Sequence, residues 1–232
     1  MRRLLASCAA LLLLACARPV AAQVYGQFGG AVPVAVDHRQ FGFYGEFSDH
    51  QSDLLGQLRL SFYPNLDFGF QGGLSHLDAG GRTQTVVHLG ADVKTLVARR
   101  TDTFPVDVSV GGTIGVGSAD QFNLLSMGPL AVASRTATMR SGLELVPYGG
   151  AALLYTRSDF GHGTTTDVSM QLRVGLEVRP NPDVRLLVEL QEPVSDPIDQ
   201  NPKLVLGANF PFLSGTRSCA ARRAPRAAPA TS

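Results

Sequence analysis

The chain has no tryptophan and only three cysteines among its 232 residues. Cys8 and Cys16 fall in the leading segment and Cys219 stands alone near the far end, so the body between them folds without an internal disulfide. Its stability must come from packing and backbone hydrogen bonds. No Cys/His cluster has the spacing of a zinc site, and neither a metal nor a cofactor is expected. Long apolar runs are equally scarce. The single one, residues 4–17, is shorter than the roughly 20 residues that carry a helix across a bilayer, and no sustained helical period occurs anywhere. A basic body is missing too. Arg2, Arg3 and Arg18 belong to the leading segment and Arg217, Arg222, Arg223 and Arg226 to the trailing one, which leaves the part between them acidic. That distribution argues against a nucleic-acid partner.

The first residues hold an export signal. Arg2 and Arg3 precede the apolar run, and Arg18, Pro19 and Val20-Ala21-Ala22 follow it, which places cleavage after Ala22. A second processing site overlaps: Leu13-Leu14-Ala15-Cys16 resembles a lipobox, in which Cys16 becomes the lipidated first residue. Three parts result: a signal peptide, residues 1–22; a body, residues 23–212; and a tail, residues 213–232, rich in Ala, Arg, Pro and Ser. The tail buries too little apolar surface to offset its ordering entropy and is expected to be disordered. Its arginines are candidates for holding anionic groups.

The body alternates. In residues 171–179 Leu172, Val174, Leu176 and Val178 share one parity, and Gln171, Arg173, Gly175, Glu177 and Arg179 the other. Val184, Leu186, Val188 and Leu190 repeat the pattern against Arg185, Glu189 and Gln191, with Leu187 as the exception. Such a period of two makes a strand with one apolar and one polar face. The same rule holds around Leu58 to Phe62, Leu66 to Phe70, Val87 to Val93 and Val106 to Val110. The chain is therefore all-β, with about ten strands starting near Gln40, eight to twelve being compatible with the pattern. Residues 24–36 are a candidate extra strand, and residues 120–140 read equally as strand, loop or short helix. Tyr63-Pro64-Asn65, residues 99–105 and Pro180-Asn181-Pro182-Asp183 are compact breaks, because proline cannot donate to a ladder and Asn and Asp tolerate turn dihedrals. Longer polar links are expected at residues 48–53, 78–82, 158–164 and 191–202.

The last strand carries the most specific signal. In "KLVLGANFPF" Leu204, Leu206, Ala208, Phe210 and Phe212 share a face, and Gly207 is followed by an aromatic three on and another two further. Here the chain resembles bacterial outer-membrane β-barrel proteins, of the small OmpA-like membrane-domain and porin-superfamily kind. The resemblance implies an antiparallel up-and-down transmembrane barrel. It implies outer-membrane lipid as the surroundings, and Gly207, Phe210 and Phe212 as the signal read by the barrel-assembly machinery. Phe210 and Phe212, with Tyr63 and Phe104, would form an aromatic girdle at the periplasmic end. The polar parity would then line a lumen: Arg59, Asp92, Lys94, Asp107, Arg173, Glu177, Arg185 and Glu189. Nothing in the pattern sets an oligomeric state.

Catalytic constellations were sought among His38, His50, His76, His88 and His162. His76 has Ser75 and Asp78 beside it, but adjacent strand residues point to opposite faces and cannot pair as nucleophile and base. "FGHGTTTD" reads as an exposed loop, and "VGGTIGVG" lacks the Lys-Ser/Thr ending of a phosphate loop. The sequence favours a non-catalytic barrel with a structural or passive permeability role. A ligand-binding adhesion barrel, and a soluble lipocalin-like carrier with its apolar rows turned inward, are the alternatives.

Overall fold

Each alternating run forms a strand: β1 (His38–Phe47), β2 (Gln51–Tyr63), β3 (Leu66–Ala79), β4 (Arg82–Ala98), β5 (Asp107–Ala119), β6 (Phe122–Ser134), β7 (Ala137–Thr138), β8 (Glu144–Asp159), β9 (Thr164–Asn181), β10 (Val184–Pro193) and β11 (Lys203–Leu213). The computed structural model describes residues 28–49, 51–79, 82–120, 122–159, 163–194 and 202–213, among which there is no helix. The signal peptide, His50, His162 and all of the tail beyond Leu213 lie outside the described residues.

Chain neighbours pair antiparallel, β6 pairs directly with β8, and β1 closes the ring on β11 from His38↔Leu213 to Phe47↔Leu204. β7 is only a two-residue pairing on the start of β8. The result is a closed antiparallel barrel of ten strands. Closure leaves no edge with unpaired backbone groups, which is the condition for placing a sheet in a medium that cannot hydrogen-bond.

Residues 120–140, ambiguous in the sequence, turn out to be β6, a turn and β7. The apolar/polar pattern is blurred there because Leu124, Leu130 and Val132 take inward places, and Gly128 and Pro129 drop out of the β6–β8 ladder between Met127↔Tyr155 and Leu130↔Ala152. Proline has no N–H to give to that ladder. The candidate extra strand at residues 24–36 is corrected: its described part, residues 28–36, joins no ladder, and residues 28–31 are buried inside the barrel. The reason lies at the turn into β1. His38 N donates to Ala35 O at 3.0 Å, Asp37 N to Ser61 O at 3.2 Å, and Asp37 takes φ 64°, so the chain reverses instead of continuing β1 downward.

The start of β1, the end of β11, the β2–β3 turn at Pro64-Asn65 and the β9–β10 turn at Pro182-Asp183 lie at one mouth of the barrel, with the longer β4–β5 connection. Pro64 has its ring-fixed φ and Asn65 takes φ 64°, the combination a type II turn needs. Asp183 N donates to Asn181 Oδ1 at 2.9 Å, an Asx turn. The expected longer polar links at the other mouth begin or end in ladder. Ser158 pairs with Thr165 and Asp159 with Thr164, and Asp78 pairs with Thr83. Polar residues there extend strands rather than forming loops. β9 has 18 residues, about 60 Å at the usual rise, well beyond a hydrocarbon core of roughly 30 Å.

Candidate functional site

The pleat sends the polar parity inward. On β9 and β10 Leu172, Val174, Leu176, Leu186, Val188 and Leu190 are exposed, while Gln171, Arg173, Glu177, Glu189 and Gln191 are buried. Leu187, the exception in the alternation, is an apolar residue that faces in. This is the inverse of a soluble protein. An outer wall of exposed Val, Leu and Phe with charges sealed inside is stable only against lipid, where apolar side chains lose nothing and the lumen shelters the polar ones. The lipocalin-like alternative needs the opposite orientation and is set aside. Exposed aromatics are concentrated beside the seam, including Phe41, Phe43, Phe62, Tyr63, Phe70, Phe210 and Phe212, so the expected girdle is an aromatic side rather than an even ring.

Inside, charges pair across neighbouring strands. Arg59 of β2 reaches Asp67 of β3 at 2.5 Å and Asp92 of β4 at 2.7 Å, all three side chains sealed from solvent. Gln71 Nε2 donates to Asp92 Oδ2 at 2.8 Å, and Lys94 Nζ lies 3.8 Å from Asp67 Oδ2. On the opposite wall Glu177 meets Arg179 at 2.5 Å and Arg185 at 3.9 Å, and Arg179 also reaches Glu144 at 3.3 Å. Higher up, Tyr148 donates to Glu189 Oε2 at 2.7 Å, and a Gln171–Gln191 pair continues the chain to Glu189 Oε1. Near the far mouth Lys203 lies 3.5 Å from Asp53 and 3.7 Å from Glu46.

Two tyrosines lie against the inner wall, and glycines on the adjacent strands make room for them. Tyr44 lies over Gly207 and Tyr148 over Gly175, where any Cβ would collide with the ring. The Tyr44 hydroxyl hydrogen-bonds to Asn209 and donates to Gln57 Oε1 at 3.1 Å. Gly207 therefore has a packing role in the folded barrel, while Phe210 and Phe212 face outward.

Of the candidate lumen residues, Arg59, Asp92, Lys94, Arg173, Glu177 and Glu189 are buried on the inner wall. Arg185 is only partly covered, and Asp107 sits at the rim, where its Oδ1 accepts from Arg100 N at 2.9 Å. Asp107 ties down a turn. Sequence reasoning missed Glu46, Asp53, Asp67 and Lys203 as members of the network. Asp53 closed a stretch read as a polar link and Lys203 opened the last strand, although Asp67 stood visibly on the polar parity of β3.

The largest omission is the occupant. Residues 28–31 are buried in the lumen. Lys94 Nζ donates to Gly30 O at 3.0 Å, Ser109 Oγ to Ala31 O at 2.5 Å, Ala31 N to Ser134 Oγ at 2.9 Å and Val34 N to Asp67 Oδ2 at 2.9 Å. Phe28 stacks on Tyr44 with ring centroids 4.2 Å apart. The signal for this was the run "FGGA", too small and flexible for a strand yet suited to close approach.

The described histidines His38, His76 and His88 lie apart from one another. Ser75 faces inward, where its hydroxyl bonds Asp53, whereas His76 faces outward with Thr85 Oγ1 3.3 Å from its Nδ1. His88 is buried in the wall and His38 lies 3.1 Å from Val36 O. No group of His, Cys, Asp and Glu able to hold a metal occurs among the described residues. "VGGTIGVG" is the middle of β5.

No family model matches the chain, and no curated protein matches it. Solved structures do. A bacterial polysaccharide outer membrane secretin aligns with a TM-score of 0.47 and 12% identity, covering 76% of this chain and 66% of that one, so the chain spans just under two thirds of its length. The KdgM porin in complex with disordered oligogalacturonate aligns at 0.39 and 9%, covering 75% and 99%. An outer membrane channel from Pseudomonas putida F1 aligns at 0.39 and 12%, covering 81% and 100%.

Proposed function

We propose that the chain is an integral barrel of the bacterial outer membrane, exported by a signal peptide cleaved after Ala22, that gives passive, porin-like passage to small polar solutes without catalysis. The observation that carries the proposal is the lumen: a column of paired charges and amides from Arg179 and Glu177 near one mouth to Lys203, Asp53 and Glu46 near the other. Such a wall offers polar contacts along a path through an apolar shell. Because acids and bases alternate around it, neither ion sign is favoured.

The lumen is narrow. Arg59, Tyr44, Gln57, Glu46, Glu189 and Asn209 are fully buried, so interior side chains fill much of it. Conductance is therefore expected to be small. Purified barrel would be inserted in planar lipid bilayers, with folding confirmed by faster migration of the unboiled sample on a denaturing gel. Small steps with a reversal potential near zero in a salt gradient are expected. Silence from folded protein, both intact and with residues 28–36 removed, would leave only a structural role. The residues Gly207, Phe210 and Phe212 are proposed as the barrel-assembly signal on the same reading.

A further inference from the structure

We propose that the lumen wall is a binding site for a peptide main chain, that residues 28–34 occupy it in cis, and that this segment is the removable stopper of the barrel. The permeability part of this rests on the function proposed above; the peptide site does not.

The contacts are those of a bound ligand rather than of a strand. Four wall side chains, Lys94, Ser109, Ser134 and Asp67, take Gly30 O, Ala31 O, Ala31 N and Val34 N. They come from four strands, β3 to β6, and read only main-chain atoms, acceptors and donors that every peptide presents. One side chain anchors the segment: Phe28, on the Tyr44 ring. Between anchor and backbone clamps the site demands small residues. Gly29 takes φ 110°, and a Cβ there would lie 3.0 Å from Glu177 Oε2; a Cβ on Gly30 would lie 3.2 Å from Ser134 Oγ and Val146 Cγ1. The class of ligand is thus a peptide with an aromatic residue followed by two glycines and alanine, bent at the first glycine.

The same observations make the segment removable. The segment makes no ladder pairing, and its outer part is exposed at Val32 and Val36. It is joined to β1 through the turn at Ala35 to His38, which can act as the hinge. Elements with few backbone pairings open at lower free energy than ladder strands. Withdrawal would leave Lys94, Ser109, Ser134 and Asp67 facing an open lower lumen.

The test uses a fluorescent peptide of sequence FGGAVPVAVD, residues 28–37. It is titrated against three folded barrels: the intact chain, the chain lacking residues 28–36, and the full-length Gly29→Val variant, whose side chain unseats the segment without altering the wall. Saturable binding to the truncated and Gly29→Val proteins, absent or at least tenfold weaker for the intact chain, supports the site. Adding Ser134→Ala should weaken that binding by up to about tenfold, the loss of one hydrogen bond. No binding to either form, or equal binding to all three, overturns the proposal. Should the truncated chain not fold, Gly29→Val alone decides. Conductance of the same preparations separates the two claims. Peptide binding with no current in any form sinks the permeability function and leaves the site; larger current on truncation with no peptide binding does the reverse.

Discussion

Replacing Arg59 by methionine tests whether the lumen is packed or wet. The guanidinium is the common partner of Asp67 and Asp92, at 2.5 and 2.7 Å, and both carboxylates have no solvent exposure. Methionine keeps most of the volume and removes the charge. Asp67 retains Lys94 at 3.8 Å, but Asp92 keeps only the amide of Gln71. Breaking a sealed pair by removing one partner costs about 3–5 kcal/mol, because the remaining charge has neither water nor a counter-ion. Against a typical stability of roughly 5–15 kcal/mol, the midpoint of urea unfolding should fall markedly. The assay is urea titration of the barrel in phospholipid vesicles, followed by circular dichroism and by the gel shift of unboiled samples. Adding Asp92→Asn to Arg59→Met should recover a large part of the loss, since it removes the orphaned charge. A loss under about 1 kcal/mol, with no recovery in the double variant, is the signature of a solvated pair and would refute a sealed lumen.

Other substitutions probe the remaining surfaces. Val188→Arg, on the exposed outer face in the middle of β10, should cost about 2–4 kcal/mol in vesicles if that face meets the hydrocarbon core. A change within about 0.5 kcal/mol, usual for a water-exposed position, would contradict membrane insertion. Tyr148→Phe strips Glu189 of a donor at 2.7 Å and should lower stability by about 1–3 kcal/mol in the same titration; an unchanged midpoint would mean the carboxylate finds another donor. Gly207→Val should slow refolding in vitro by colliding with the Tyr44 ring, and Tyr44→Ala in the same chain should relieve it. If instead Gly207→Val refolds normally and fails only in cells, the residue acts through the assembly machinery and not through packing.

The wall was legible in the sequence because it obeys one rule repeated many times. On β9 and β10 each side chain's face follows from parity alone, and even Leu187, which broke the apolar row, took the inward place its parity dictated. Parity also placed Arg59 and Asp92 on the inner wall, but it could not say which charges meet. That depends on register: Asp67 pairs with Lys94 and Gly69 with Asp92 across β3 and β4, which brings both acids within reach of Arg59. Register is set by turns and bulges, such as the shift between Leu60 and Tyr63, and these leave little trace in composition. The segment at residues 28–36 escaped for a different reason. Its only distinguishing marks are two glycines and a proline, which exclude a good strand but say nothing of a lumen across the barrel. Asp107 shows the converse error, since correct parity at a rim gives a turn contact instead of a lining residue.

The balance of charge inside explains why a filled lumen is compatible with a conduit. Each buried acid has a cation or a donor from another strand, so the network adds cross-strand ties to the backbone ladder. Arg59 joins three strands and Glu189 receives groups from two. Those ties cannot be withdrawn singly without stranding a charge, which makes the wall the stiff part of the molecule. The lumen occupant is held by neutral main-chain groups and one ring stack, and its departure strands no charge on the segment itself. Lys94 and Asp67, which lose their contacts to it, still face each other at 3.8 Å. The cost of opening thus falls on a few hydrogen bonds of about 0.5–1.5 kcal/mol each rather than on the ion-pair network. It follows that salt should affect wall and stopper differently: raising ionic strength would weaken only solvent-exposed pairs such as Arg179–Glu144, leaving both the sealed Arg59 cluster and the affinity for the peptide nearly unchanged. A peptide affinity that collapses with salt would mean that charge, not main-chain recognition, holds the stopper.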